Sequence, residues 1–180
     1  MALLARLPLI TTAVMMGAIA AVAAPPVSEE QVKAIFVYKL LKFVDWPDDS
    51  FAGPQAPLAI CVVSDDSFAD LVEEAVKSNP QGGRPVEVRR VASAAAARGC
   101  HLVYFGASER HRLHAGLESL AGAPSLTAGD TEGFAVQGCV LDFWVEASKL
   151  RFEVNLDAAS RARLKMSSKL LSLAARVVNK

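Results

Sequence analysis

The chain has 180 residues, 52 % of them hydrophobic, and its 19 basic and 19 acidic side chains cancel. That length suits one domain with a core of its own. The balanced charge, with no basic run longer than Arg89-Arg90, argues against a nucleic-acid partner. The first segment, MALLARLPLITTAVMMGAIAAVA, carries one charge (Arg6), then an apolar run, then Ala21-Val22-Ala23. This is the layout of a secretory signal with an A-x-A cleavage site, so residues 1–23 are expected to be removed. Without Arg6 the remainder, residues 24–180, holds 18 basic and 19 acidic side chains, a net charge of −1. No lipobox cysteine and no later membrane-length apolar run follow, so the mature protein is expected to be soluble outside the cytoplasm.

Ser28-Glu29-Glu30-Gln31 reads as a capping box opening a helix. Behind it Val32, Ile35, Phe36, Leu40 and Phe43 recur at helical spacing, with Lys33, Lys39 and Lys42 off that stripe. Trp46-Pro47 should end this helix, because proline disfavours helical geometry in the residue before it. Residues 48–57 read as a loop. Leu58–Val63 is an unbroken apolar run, as in a strand buried on both faces. SDDSFADLVEEAVKS offers caps at Ser64 to Ser67 and a stripe of Phe68, Leu71, Val72, Ala75 and Val76. Gly82-Gly83 turns into an alternating edge strand at Val86–Arg89. A short Ala-rich helix (93–98), the strand CHLVYF and a helix capped by Ser108 and carrying Leu113, Leu117 and Leu120 follow. This β-α-β-α-β-α order predicts an α/β domain whose mostly parallel sheet is flanked by helices, with the doubly wound order 2-1-3. Residues 125–130 are a weaker strand. Cys139–Val145 and Leu150–Leu156 predict a hairpin around Ala147-Ser148, and two helices close the domain.

Several side-chain sets invite a chemical reading. Ser167-Ser168-Lys169 has the residue types of a Ser/Lys dyad, but adjacent helical residues point about 100° apart. A serine before Leu170-Leu171 is a helix cap worth about 1 kcal/mol. His111 and His114 share a helix face, yet Arg110 and Arg112 beside them would repel a cation, and no metal spacing surrounds them. His101 beside Cys100 reads as structural. Hence no catalytic residue, metal or cofactor is expected. Order 2-1-3 makes the strands bearing Cys61 and Cys100 neighbours, within reach of a bridge, the alternative being two buried thiols. An exported protein favours the bridge. The same order puts a switch-point crevice between Ser64, Asp65 and Ser108, a candidate ligand site at which Asp65 would disfavour anions. Tyr38, Phe43 and Trp46 crowd the first helix and its exit, as core or as a partner patch.

The segments VKAIFVYKLLKFVDWP, PLAICVVSDDSFADLV, RPVEVRRV, GCHLVYFGASE, GFAVQGCVLDFWVE and LRFEVNLDAASRARLKMSSKLLSLA, in this order, resemble the YfiR family of periplasmic proteins over nearly all of residues 30–177. The last segment and the aromatic-Trp-Pro stretch are the most specific. The resemblance implies a compact α/β domain, often a homodimer, without catalytic residues. It also implies a repressor that binds the periplasmic part of an inner-membrane diguanylate cyclase and that an outer-membrane lipoprotein can sequester. Cys61 and Cys100 match the family's disulfide positions. Where some members carry a second pair in the hairpin region this chain has only Cys139, expected to be a buried free thiol, the alternative being an intermolecular link. Arg151 and Lys165 join Tyr38, Phe43 and Trp46 as candidate partner-surface residues. A small-ligand sensor acting on another membrane partner through the Ser64–Asp65–Ser108 crevice is the second expectation.

Overall fold

The computed structural model describes residues 27–80 and 83–179. The expected signal peptide therefore lies outside the described residues, as does Gly82 of the expected turn. In chain order the elements are α1 (Glu29–Leu40), β1 (Val44–Asp45), β2 (Leu58–Val63), α2 (Asp66–Ser78), β3 (Val86–Val91), β4 (Leu102–Phe105), α3 (Leu113–Ser119), β5 (Leu126–Gly129), β6 (Leu141–Glu146), β7 (Lys149–Asn155), α4 (Leu156–Arg161), β8 (Lys165–Met166), α5 (Ser168–Leu173) and β9 (Arg176–Val178). Seven strands form one sheet in the order β3-β2-β4-β5-β6-β7-β9, and β1 pairs with β8 in a separate two-stranded ladder. Strands β3, β2, β4, β5 and β6 run parallel. β7 returns antiparallel to β6, and β9 joins β7 in parallel. The 2-1-3 start is thus β3-β2-β4, with its topological switch between β2 and β4.

Alternation along the strands divides the core. Ile60, Val62, Leu102, Tyr104, Leu141, Phe143, Phe152 and Val154 pack on one face with α1, α2 and α4. Ala59, Cys61, Val63, Val103 and Phe105 face the other side, against Ala94, Ala97, Leu113 and Phe134. Both faces are covered, which is why β2 and β4 read as continuous apolar runs. The hairpin turns at Ala147-Ser148 with φ values of 48° and 58°. Left-handed geometry at both central residues is the turn that matches the twist of paired strands.

The capping box forms as expected: Ser28 Oγ accepts from the Gln31 amide and Gln31 reaches back to the Ser28 amide. The helix it opens departs from expectation in two ways. It stops at Leu40, because Val44 and Asp45 leave to pair with Met166 and Lys165 of β8. Its buried face also includes Lys33, Ala34, Val37 and Tyr38, whereas Val32 remains 42 % exposed. The reason is that α1 is gripped on two sides. Phe36 packs its ring against Phe143 and Phe152, while the Tyr38 hydroxyl donates to the Asn79 carbonyl at the end of α2, 2.9 Å away.

Three smaller elements also differ. The Ala-rich helix is a single tight turn over Ala94–Ala97. The Ser108 segment is another such turn (Ala107–His111), and the α-helix starts only at Leu113. After α5 the chain does not remain helical; it becomes the edge strand β9, whose Val177 pairs with Val154. Ser167 is the cap expected of it: its Oγ accepts from the Leu170 amide at 3.2 Å.

Candidate functional site

The disulfide and its surroundings occupy the start of the parallel strands. Cys61 on β2 and Cys100 just before β4 are bonded, with Cα atoms 5.9 Å apart, and both are buried. His101, next in the chain, is held from every side. Its Nδ1 accepts the Ala59 amide at 3.1 Å, and its carbonyl accepts Trp46 Nε1 at 3.1 Å. Phe51 stacks on the ring at 4.7 Å and Trp46 meets it edge-on. Arg84 lies over Phe51 and donates to the carbonyls of Gly53, Pro54 and Ala56. The long loop 48–57 is thus pinned beside the disulfide, and Trp46, half-buried, is one of its pins. With Nδ1 accepting, the imidazole proton sits on Nε2, which faces the Ser50 backbone without meeting hydrogen-bond geometry.

Burial, with help from the Arg84 and Arg89 charges, lowers the His101 pKa from its ordinary 6.5. A depressed histidine contributes stability that is complete above its unfolded value and is lost as pH falls through the folded one. Unfolding in urea should therefore become easier as pH falls below 6.5, and His101→Gln, whose side-chain oxygen can still accept the Ala59 amide, should flatten that slope. A variant slope equal to that of the wild type would assign the acid sensitivity elsewhere.

At the opposite ends of these strands lies the switch point. Asp65 and Ser108 do converge there: a methyl group on Gly106 would sit 3.3 Å from Asp65 Oδ2 and 3.8 Å from Ser108 Oγ. Asp65 Oδ1 is engaged locally, accepting the Phe68 amide at 3.0 Å and the Ser67 hydroxyl at 2.9 Å. Ser64, at φ 54°, turns its hydroxyl to the Ala92 carbonyl. Beside this junction Lys33 plunges from α1 to Asp130 after β5, 2.9 Å away, and is flanked by Glu29 and Glu30 at 2.9 and 3.1 Å. Burial alone would lower the Lys33 pKa, but the Glu29, Asp130 and Glu30 bonds outweigh it and the pKa rises. Burial raises Asp130 despite Lys33, and burial, with Asp130 next, raises the phenol of Tyr104.

A further polar cluster lies on the sheet face where β5, β6 and β7 meet. Here Thr127, Asp142, Glu153 and Asn155 replace the apolar residues that β2 and β4 present, and the segment 130–138 covers them. Asp142 Oδ2 accepts the amides of Gly133 and Ala135 at 2.8 and 2.9 Å. Asn155 Nδ2 donates to the Ala135 carbonyl at 2.7 Å, while its Oδ1 caps α4 by accepting the Ala158 amide at 2.9 Å. Arg176 of β9 reaches Glu153 at 2.6 Å and Glu132 at 2.7 Å, and lies over the Trp144 ring. Sequence reasoning missed this cluster. The signal was present: with the hairpin registered on Ala147-Ser148, Asp142 and Glu153 must share the face opposite Phe143 and Phe152.

The five expected partner-surface residues separate. Tyr38 is 2 % exposed and its hydroxyl ties α1 to α2, so it is a core residue rather than a contact surface. Phe43 and Trp46 are half-buried, whereas Arg151 and Lys165 are exposed. Arg151 pairs loosely with Glu146 at 3.5 Å. Where α1 starts and the hairpin ends, Val27, Val32, Val145 and Leu150 line an open groove of about 280 Å³. Cys139 is a buried free thiol whose pKa burial pushes far up, with the Asp142 charge adding to it. His114 is exposed and pairs with Glu118. Among the described residues no three His, Cys, Asp or Glu side chains are grouped to hold a metal ion, and no helix is long and apolar enough to cross a membrane.

Two solved structures share this fold. One is a conserved domain protein from Vibrio cholerae, 10 % identical, with a TM-score of 0.61 over 84 % of this chain and 60 % of that one. The other is the ABC domain in complex with L-Trp from Streptococcus pneumonia, 12 % identical, with a TM-score of 0.59 over 81 % of this chain and 60 % of that one. This chain thus spans less than two thirds of either, and at such identities the likeness concerns the fold alone. The family comparison is more specific, because the model of the YfiR/HmsC-like family matches residues 30–175, from the first turn of α1 to the last residue before β9. The chain belongs to the YfiR/HmsC-like family.

Proposed function

We propose that this protein is a periplasmic negative regulator that binds the periplasmic sensor region of an inner-membrane diguanylate cyclase and holds down cyclic di-GMP synthesis. The observation that carries this reading is the family match, which takes in the whole sheet up to its last strand. Two features support it. A buried disulfide belongs to an oxidising compartment, and residues 1–23 have the layout of an export signal. The residues that first suggested catalysis have other employment: Ser167 caps α5, and His101 carries the loop 48–57. The protein acts by occupancy of a partner, without a cofactor or a catalytic step.

The exposed groove at Val27, Val32, Val145 and Leu150, with Arg151 on the same hairpin, offers the partner an apolar centre with a charged rim. Lys165, Phe43 and Trp46 form a second, smaller candidate surface beside the β1–β8 ladder. The Cys61–Cys100 disulfide sets how much folded repressor exists, so reduction releases the cyclase. A homodimer and an outer-membrane lipoprotein that sequesters the repressor complete the scheme. The small-ligand reading has less support, since Asp65 is already engaged at its own helix start. Deleting the gene in its host should raise intracellular cyclic di-GMP, and re-expression of the full-length chain should lower it again. An unchanged level would remove the cyclase as the partner.

A further inference from the structure

Asp142 and Glu153 are direct cross-strand partners in the β6–β7 hairpin, so their side chains emerge on the same face about 5 Å apart at Cβ. Asp142 is 0 % and Glu153 3 % exposed. Each carboxyl group has one oxygen in use. Asp142 Oδ2 takes the two amides of Gly133 and Ala135, and Glu153 Oε2 takes the Arg176 guanidinium. The other oxygen of each, Asp142 Oδ1 and Glu153 Oε1, has no hydrogen-bond partner. Two ionised carboxylates side by side, each burying an unpartnered oxygen, would be strongly unfavourable.

The surrounding charges do not solve the problem. β5 presents Gly129 opposite Asp142, and Asp130 beyond it is bound to Lys33. Among the described residues the covering segment adds Glu132, through Arg176, the chain just after it adds the neutral buried thiol of Cys139, and β9 supplies Arg176. One cation thus serves two glutamates, and among the described residues Asp142 feels only the charge of that same Arg176, which is bonded to Glu132 and Glu153 and not to it.

We propose that Asp142 is a buried proton-binding site: it holds a proton on Oδ1, donates it to Glu153 Oε1, and so makes the anchoring of segment 130–138 and β9 dependent on pH. This single hydrogen bond satisfies both orphaned oxygens, leaves Glu153 Oε2 to Arg176, and keeps Oδ2 free to accept its two amides. Burial, with the Glu153 charge beside it, is the cause that holds the proton on, raising Asp142 above the ordinary carboxylate value of 3.8. For an acid raised on folding, the stabilisation is complete below the unfolded value and is lost as pH climbs through the folded one. Ionisation places a second negative charge beside Glu153 in the strand that carries β9, the last strand of the sheet. The inference concerns the fold's own chemistry and stands whether or not the partner is a cyclase.

The test compares the full mature chain with Asp142→Asn and Glu153→Gln as pH is raised from the ordinary carboxylate value of 3.8. Asparagine imitates the protonated aspartate: its oxygen still accepts the Gly133 and Ala135 amides, and its amide donates to Glu153. The wild type should lose about 3–6 °C of Tm as pH rises through the Asp142 transition, and D142N should fold and show no such fall. Infrared difference spectra should contain a protonated-carboxyl band in the wild type at pH values above the ordinary carboxylate range, and that band should be missing in D142N. Glu153→Gln, which removes the repelling charge, should shift that band's disappearance to lower pH. The proposal is overturned if the wild type shows no carboxyl that stays protonated above the ordinary range, or if D142N keeps the wild-type fall in Tm with rising pH. It is also overturned if added calcium or magnesium chloride raises the wild-type Tm but not that of D142N, because a cation would then fill the gap between the two carboxylates.

Discussion

Replacing Cys61 and Cys100 together with alanine is expected to cost about 4 kcal/mol of unfolding free energy. The bridge closes a loop with a sequence separation of 39 residues, and in the chain-entropy model a loop of that size constrains the unfolded chain by roughly that amount. The loss is structural as well as entropic. Both sulfurs lie in the core beneath Ala94, Ala97 and Phe105, and the bridge ties the central strand β2 to the chain entering β4. The Trp46–His101–Phe51 cluster that pins loop 48–57 is built on the residue after Cys100. Urea unfolding of the oxidised wild type, the reduced wild type and the double variant should give one high midpoint and two low ones, with Tm lower by on the order of 10 °C in the latter pair. Cys139 cannot substitute in the folded state, because it is buried and its thiol is held protonated. Equal midpoints for oxidised and reduced protein would end the proposal that redox state governs the supply of folded repressor.

The second large effect belongs to Asn155. Asn155→Ala removes two buried hydrogen bonds at once: the cap of α4 through the Ala158 amide, and the donor to the Ala135 carbonyl that holds segment 130–138 on the sheet. Leaving buried polar groups unmet costs about 1–3 kcal/mol each, so a loss of roughly 2–4 kcal/mol is expected, more than a surface cap would give. Asn155→Asp separates the parts. It restores the cap acceptor but not the donor, and it buries a new carboxylate, so at neutral pH it should recover little. Its stability should improve relative to wild type as pH falls and the new acid is protonated. If Asn155→Asp matched the wild type at neutral pH, the tether to Ala135 would contribute nothing.

How far the sequence revealed this molecule depended on whether a residue's partners lay nearby in the chain. The parallel strands were legible because β2 and β4 are apolar on both faces and no other element needs Leu58–Val63 or Leu102–Phe105 to be so. The order β3-β2-β4 followed from the βαβ alternation. The caps at Ser28 and Ser167 were legible for the same local reason, as was a helix start within Ser64 to Ser67, where the structure makes Asp65 the cap. Lys33 was misread, because the carboxylate that draws it inward is Asp130, at the end of a strand nearly a hundred residues away. Arg176-Val177-Val178 continues an apolar helical pattern and becomes a strand only because β7 offers an open edge, where Ala175 donates to the Phe152 carbonyl. Asn155 was visible as the point where a strand breaks, but its second bond, to Ala135, is tertiary. The Asp142–Glu153 pair could have been found from hairpin register alone; its burial could not, since that depends on the segment 130–138 folding over it.

The central claim is repression from the periplasm. Its most direct test is the cyclic di-GMP content of the native host with the gene intact, deleted, and restored either in full or without residues 1–23. On that claim deletion should raise the level, and the full chain should reverse the rise while the truncated one, without the proposed export signal, should not. A level that does not change on deletion, or one that the leaderless chain restores equally well, would contradict it.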